Sequence, residues 1–188
     1  NMRKYFNDKR DWFMNASFGL FIHWGIYAVP AWHEQHQYRL GIKRSDYVKF
    51  VKEFNPTHFN PDTWLDLMQV AGMEYLCFTA KHMDGFCMWD TKATEYNVMQ
   101  TPYKKDVLRM VSDACHKRNV PLCIYYSVAD MNNRNYPCAG RAYELSEPEQ
   151  GDDPDEEKYM DFVKIQVREL CTNYGIIHGF WWDGMMFG

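Results

Sequence analysis

Phe18-Gly19-Leu20-Phe21-Ile22-His23-Trp24-Gly25 is a nearly continuous apolar run that closes on a histidine, a tryptophan and a glycine. Such a run reads as a strand covered on both faces, the pattern of a parallel sheet. The chain continues Ile26-Tyr27, not with the Gly-rich turn that an open-sheet nucleotide binder uses to cradle phosphate.

Outward from this run, strands and helices alternate. A short helix is expected over Ser45 to Glu53. A clearer one starts at Asn60 as cap with Pro61 in its first turn, and stops at Gly72. Tyr75-Leu76-Cys77-Phe78-Thr79 reads as the second strand. A helix from about Asp106 to Arg118 leads to Pro121 and a third strand, Leu122-Cys123-Ile124-Tyr125-Tyr126-Ser127. A long helix from about Pro154 to Tyr174, stopped by Gly175, precedes a fourth strand, Ile176 to Asp183. Four strands with helical connections imply a parallel α/β sheet, either open and doubly wound or part of a (β/α)8 TIM barrel. Both place ligands at the C-terminal strand ends.

Those ends carry the chemistry. The first delivers His23 and Trp24, then Trp32-His33-Glu34-Gln35-His36. The second delivers Lys81-His82-Met83-Asp84-Gly85-Phe86 and Trp89-Asp90. The third delivers Tyr125, Tyr126, Ser127 and Asp130, and the fourth Trp181, Trp182 and Asp183. Each residue also has an ordinary reading: His23 a satisfied core histidine, Asp183 a helix cap, Lys81 and Asp84 an ion pair, Trp181 plain core. These readings weaken jointly because all four sets fall at one end of one sheet. Trp181 and Asp183 are two apart and share a face, which in a barrel is the interior. Carboxylate, His, Tyr and Trp together suit a sugar: polar groups bond hydroxyls, aromatic rings cover the apolar face, and a carboxylate can attack an anomeric carbon.

Bulk properties agree. The chain has 188 residues, 46% hydrophobic and 17% aromatic, enough for one domain with a real core. Net charge is −4 without basic–aromatic clusters, which argues against nucleic acid. No apolar run reaches membrane-span length, and no signal peptide is visible. The acidic stretch Asp152, Asp153, Asp155, Glu156, Glu157 reads as a solvated loop entering a helix. The six cysteines, Cys77, Cys87, Cys115, Cys123, Cys138 and Cys171, lack metal spacing and read as free buried thiols, with Cys115 and Cys171 on apolar helix faces. Neither a metal nor a cofactor is expected. Asn15-Ala16-Ser17 is a formal glycosylation sequon just before a core strand and carries little weight.

The motifs Phe18–Gly25 with Tyr27-Ala28-Val29-Pro30, Lys81–Phe86 with Trp89-Asp90, Tyr125-Tyr126-Ser127 with Asp130, and Phe180-Trp181-Trp182-Asp183 occur in that order and resemble glycoside hydrolase family 29, the α-L-fucosidases. The resemblance covers nearly the whole chain. It implies a (β/α)8 TIM-barrel-like fold of which residues 1–188 hold about the first four βα units, as a single domain forming the N-terminal half. A full barrel takes about 250 residues. The resemblance implies a retaining hydrolase of terminal α-L-fucose on glycans. Asp183 would be the nucleophile, His23, Glu34 and His82 hydroxyl partners, Trp89 a substrate contact, Tyr126 the neighbour of the nucleophile with Tyr125 as alternative, and Trp181 a wall beside the ring. The acid/base would lie beyond the last residue. Such enzymes work outside the cytoplasm or in lysosomes. Departures are Met83 where a second histidine is usual, Met131 where a Trp is common, and Tyr38 where a Trp is expected. Open alternatives are a truncated or degenerate member that binds carbohydrate without hydrolysing it, a barrel hydrolase for another sugar, and self-association to cover the exposed sheet surfaces.

Overall fold

The computed structural model describes residues 5–137 and 149–184. Four parallel strands form one sheet in the order β1-β2-β3-β4: β1 (Gly19–Ile22), β2 (Tyr75–Lys81), β3 (Leu122–Ser127) and β4 (Gly179–Asp183). Strictly sequential order decides between the two architectures. A doubly wound sheet reverses its strand order partway, and this one does not. β1 ends at Ile22, before the expected His23, while β2 runs on through Lys81. Ile176 to His178 enter β4 as a connection held by the His178 amide on the Leu122 carbonyl at 2.8 Å.

The helices follow from capping chemistry. Helices α1 (Asp11–Asn15), α2 (His36–Arg39) and α3 (Arg44–Tyr47) are short and precede the crossover α4 (Pro61–Ala71). In α4 the Asn60 side chain accepts from the Asp62 amide at 3.0 Å, and Gly72 ends the helix at φ 72°. In α5 (Val107–Lys117) Asp106 accepts from the Arg109 amide at 2.8 Å. In α6 (Glu156–Asn173) Asp155 accepts from the Lys158 amide at 3.0 Å. The expected helix over 45–53 divides into α3 and a 3₁₀ segment, Val48–Lys52.

The strand period of two sorts side chains between two layers. Leu76, Phe78, Leu122, Ile124 and Tyr126 face the helices and pack with Leu65, Met68, Val111, Cys115, Tyr159 and Leu170. Burying each such large apolar side chain contributes about 1.5–3 kcal/mol. Cys77, Cys123 and Tyr125 face the other side, with Trp12 of α1 and Tyr75 packed at its foot. On this inner side Phe21 and Trp181 stay 37% and 54% exposed.

One irregularity redirects the rim. Thr79 pairs with Tyr125, yet Lys81 pairs with Tyr126, so β2 carries one extra residue, a bulge at Ala80. The bulge turns Lys81 toward the helices, where its Nζ lies 4.5 Å from the Tyr126 ring centre, and returns His82 to the inner side.

Several sequence expectations are corrected here. Lys81 pairs with Asp130 (2.9 Å), not with Asp84. Part of the acidic stretch is not solvated: Asp152 is largely buried against Arg44 at 2.6 Å. Cys171 is exposed, because it falls on the solvent side of α6. Cys77, Cys87, Cys115 and Cys123 are buried and free, and Cys138 lies outside the described residues. No helix among the described residues is long and apolar enough to cross a membrane.

Candidate active site

Asp183 ends β4 on the inner side. Its Oδ2 accepts from the Tyr125 hydroxyl at 2.6 Å and its Oδ1 from the Gly184 amide at 2.7 Å. The Val128 amide donates to the Asp183 carbonyl at 2.7 Å, which fixes the backbone beneath the carboxylate. Gly184 is needed there. It sits at φ 73°, and a Cβ would come within 2.7 Å of the Ala129 nitrogen.

Tyr125 carries the next part of the wall. His82 stacks on its ring at 5.3 Å and 4°, and His23 lies against it at 5.0 Å. The two imidazoles are 5.5 Å apart, edge to face. Phe21 underlies His23 at 4.5 Å and touches Trp181 at 5.2 Å. Trp181 pairs with Tyr125 across the β3–β4 ladder, one step below Asp183.

His23 stands on a short non-strand segment, and one hydroxyl holds both sides of it. Thr79 Oγ1 donates to the Ile22 carbonyl at 2.8 Å and accepts from the Trp24 amide at 2.9 Å. Sequence reading missed this residue. Its signal was weak: a lone polar residue inside an otherwise apolar strand.

Electrostatics keep both histidines neutral. Burial pushes the His82 imidazole down to about 4, aided by His23. His23 is lowered as well, chiefly by burial, against the opposing pull of Glu34 and Asp183. A neutral imidazole offers one donor and one acceptor, the pair a sugar hydroxyl needs. His82 Nδ1 is buried and has no hydrogen-bond partner among the described residues. Glu34 is half-buried with Oε2 3.7 Å from His33 Nδ1, and its charge acts on both His23 and His82.

The structure thus gathers His23, Glu34, His82, Trp181 and Asp183 at one rim, and leaves two expected members out. Tyr126 faces the helices: its hydroxyl donates to Gln166 Oε1 at 2.7 Å, because adjacent strand residues point opposite ways. Tyr125 takes the place expected for Tyr126. Trp89 is fully buried, and its indole nitrogen donates to Glu169 of α6 at 3.0 Å, so it fastens a loop to the helical layer. The two methionine departures meet: the Met131 amide donates to the Met83 carbonyl at 2.8 Å, and both side chains join the apolar core. Met83 therefore offers nothing to a hydroxyl. Among the described residues no three His, Cys, Asp or Glu side chains converge as metal ligands.

Comparisons with known proteins show the family. The sequence profile of the α-L-fucosidase family matches residues 3–187. Tissue α-L-fucosidase of Rattus norvegicus is 35% identical over 134 residues, covering 62% of this chain and 29% of that protein. Among solved structures, α-L-fucosidase isoenzyme 1 from Paenibacillus thiaminolyticus superposes with a TM-score of 0.87 at 36% identity, over 93% of this chain and 42% of that one. A family 29 α-L-fucosidase from Bacteroides thetaiotaomicron, trapped as a covalent intermediate with 2-fluoro-fucosyl fluoride, gives 0.83 at 30% identity, over 95% of this chain and 42% of that one. The chain spans less than a third of the curated relative and less than half of each of these structures. With a sequential parallel sheet, a carboxylate at the end of its fourth strand and a profile match along nearly its whole length, the chain belongs to the α-L-fucosidase family, glycoside hydrolase family 29.

Proposed function

We propose that this chain is the nucleophile-bearing part of a retaining α-L-fucosidase that removes terminal α-L-fucose from glycans outside the cytoplasm. The observation that carries the reading is Asp183, aimed from the end of β4 and gripped by the Tyr125 hydroxyl at 2.6 Å. In the proposed reaction an Asp183 oxygen forms a bond to the anomeric carbon as the bond to the leaving oxygen breaks. A carboxylic acid supplies that oxygen with a proton, and a water then cleaves the fucosyl ester. We assign the proton donor to none of the described residues. His23, His82 and Glu34 hold hydroxyls, and Trp181 with Phe21 lines the apolar side.

The test is release of an aryl alcohol from an aryl α-L-fucoside, beside an Asp183→Ala chain. An activated leaving group needs little protonation, so the nucleophilic step is visible without a proton donor. Release that disappears in Asp183→Ala supports the reading. Fucose binding without release in either chain would establish the non-hydrolytic alternative instead. Absence of both would remove the fucoside reading.

A further inference from the structure

We propose that Trp32, backed by His33, is a stacking platform for a second pyranose ring, the sugar joined to the fucose. This rests on the fucoside reading above and adds a subsite outside the fucose pocket. Trp32 follows β1 on the catalytic rim and is 44% exposed. Its indole lies nearly parallel on the His33 imidazole, 4.1 Å away at 24°, and the His36 ring lies tilted at 59° to it, 5.4 Å away. One face is therefore covered by His33, and the exposed remainder of the ring is turned to solvent.

The loop holds this pair in place. Ala31 takes a left-handed turn at φ 53°, with its amide on the Ala28 carbonyl at 3.1 Å. The Gln35 amide donates to His33 Nδ1 at 3.1 Å, and the His36 amide to the His33 carbonyl at 3.0 Å, so the backing imidazole is fixed in tilt. A surface already rigid loses little freedom on binding.

The platform adjoins the pocket. His33 Nδ1 is 3.7 Å from Glu34 Oε2, and the Glu34 carboxylate in turn acts on His23 and His82 in the pocket. The ligand class follows from shape and polarity. A flat indole face complements the apolar C–H face of a pyranose, while the neighbouring histidines and carboxylate complement hydroxyls.

The experiment measures binding of methyl α-L-fucoside and of fucosyl-α-1,6-N-acetylglucosamine by titration calorimetry, in an Asp183→Asn background that prevents turnover. Trp32→Ala and Trp32→Phe are compared with the parent. We expect the parent to bind the disaccharide more tightly than the methyl fucoside by about five- to tenfold, the scale of one aromatic stacking contact. Trp32→Ala should abolish that difference and leave the methyl fucoside unchanged, and Trp32→Phe should keep most of it. Equal loss on both ligands would make Trp32 a fucose contact and overturn the proposal, as would a disaccharide preference that survives Trp32→Ala. If neither ligand binds the parent, the fucoside reading itself fails, and this inference falls with it.

Discussion

The Tyr125 hydroxyl donates to Asp183 across 2.6 Å, while Tyr126, the next residue, donates to Gln166 on the opposite side of the sheet at 2.7 Å. Two identical side chains one residue apart therefore serve different layers. The contrast predicts a separation of effects. Tyr125→Phe should lower turnover of an aryl fucoside about ten- to a hundredfold with little change in stability, the scale of a hydrogen bond to a charged group. Tyr126→Phe should leave turnover intact and cost about 1 kcal/mol in urea unfolding. Equal activity in the two variants would detach Tyr125 from the nucleophile.

Thr79 predicts a subtler loss. Its hydroxyl ties the backbone on both sides of His23, so Thr79→Val keeps the shape and removes the tie. Binding of methyl α-L-fucoside should weaken severalfold through a misplaced His23, with stability reduced by about 1–3 kcal/mol from the freed polar groups. Thr79→Ser should restore binding. Failure of serine to rescue would show that the methyl group, not the hydroxyl, matters.

The fold was legible because its signals are redundant. Asn60, Asp106 and Asp155 cap three crossover helices, and the apolar strands lie between them. Asp183 and Trp181 were legible as an inward pair because period two is unbroken in β4. The errors share one cause: which way a residue faces is a tertiary fact. In β3 the choice between Tyr125 and Tyr126 rests on a one-residue parity, although Leu122 and Ile124 hinted that even positions meet the helices. In β2 the bulge at Ala80 inverts that parity, which no period-based reading anticipates. Trp89 was grouped with the rim by its place in a motif, yet its indole meets Glu169, 80 positions away.

Gly85 and Asp130 make a steric prediction. Gly85 sits at φ 79°, and a Cβ there would fall 2.3 Å from Asp130 Oδ1. Asp130 is the buried partner of Lys81 and also accepts from the Asn132 and Asn133 amides. Gly85→Ala should therefore destabilise by about 2–4 kcal/mol, through backbone strain and a displaced ion pair. Asp130→Asn should cost about 3–5 kcal/mol by leaving Lys81 charged and buried without its counterion. Denaturant unfolding reads both. A Gly85→Ala chain as stable as the parent would mean that the turn after His82 is free to move, and its fucose affinity would then be expected to fall.

His82 and Asp84 make the chain's pH dependence a balance of opposites. Burial lowers His82 to about 4, so between about pH 4 and 6.5 the unfolded chain holds a proton that the folded one refuses. Stability from this residue is complete above 6.5 and is lost as pH falls toward 4. Burial raises Asp84 to about 7, against the donated bond from the Phe86 amide, so the folded chain keeps a proton that the unfolded one releases above about 4. Stability from Asp84 is complete below the ordinary carboxylate range and is lost as pH rises through about 7. Between about pH 4 and 6.5 the two slopes oppose, and above 6.5 only the Asp84 slope remains. Asp84→Asn should remove that upper decline and leave stability rising with pH across the lower window. His82→Asn should do the reverse and leave a decline from about 4 to 7. Urea midpoints from pH 4 to 8, taken as differences from the parent, cancel the other titrating groups. If the Asp84→Asn difference is flat across that range, Asp84 is not held protonated in the folded chain.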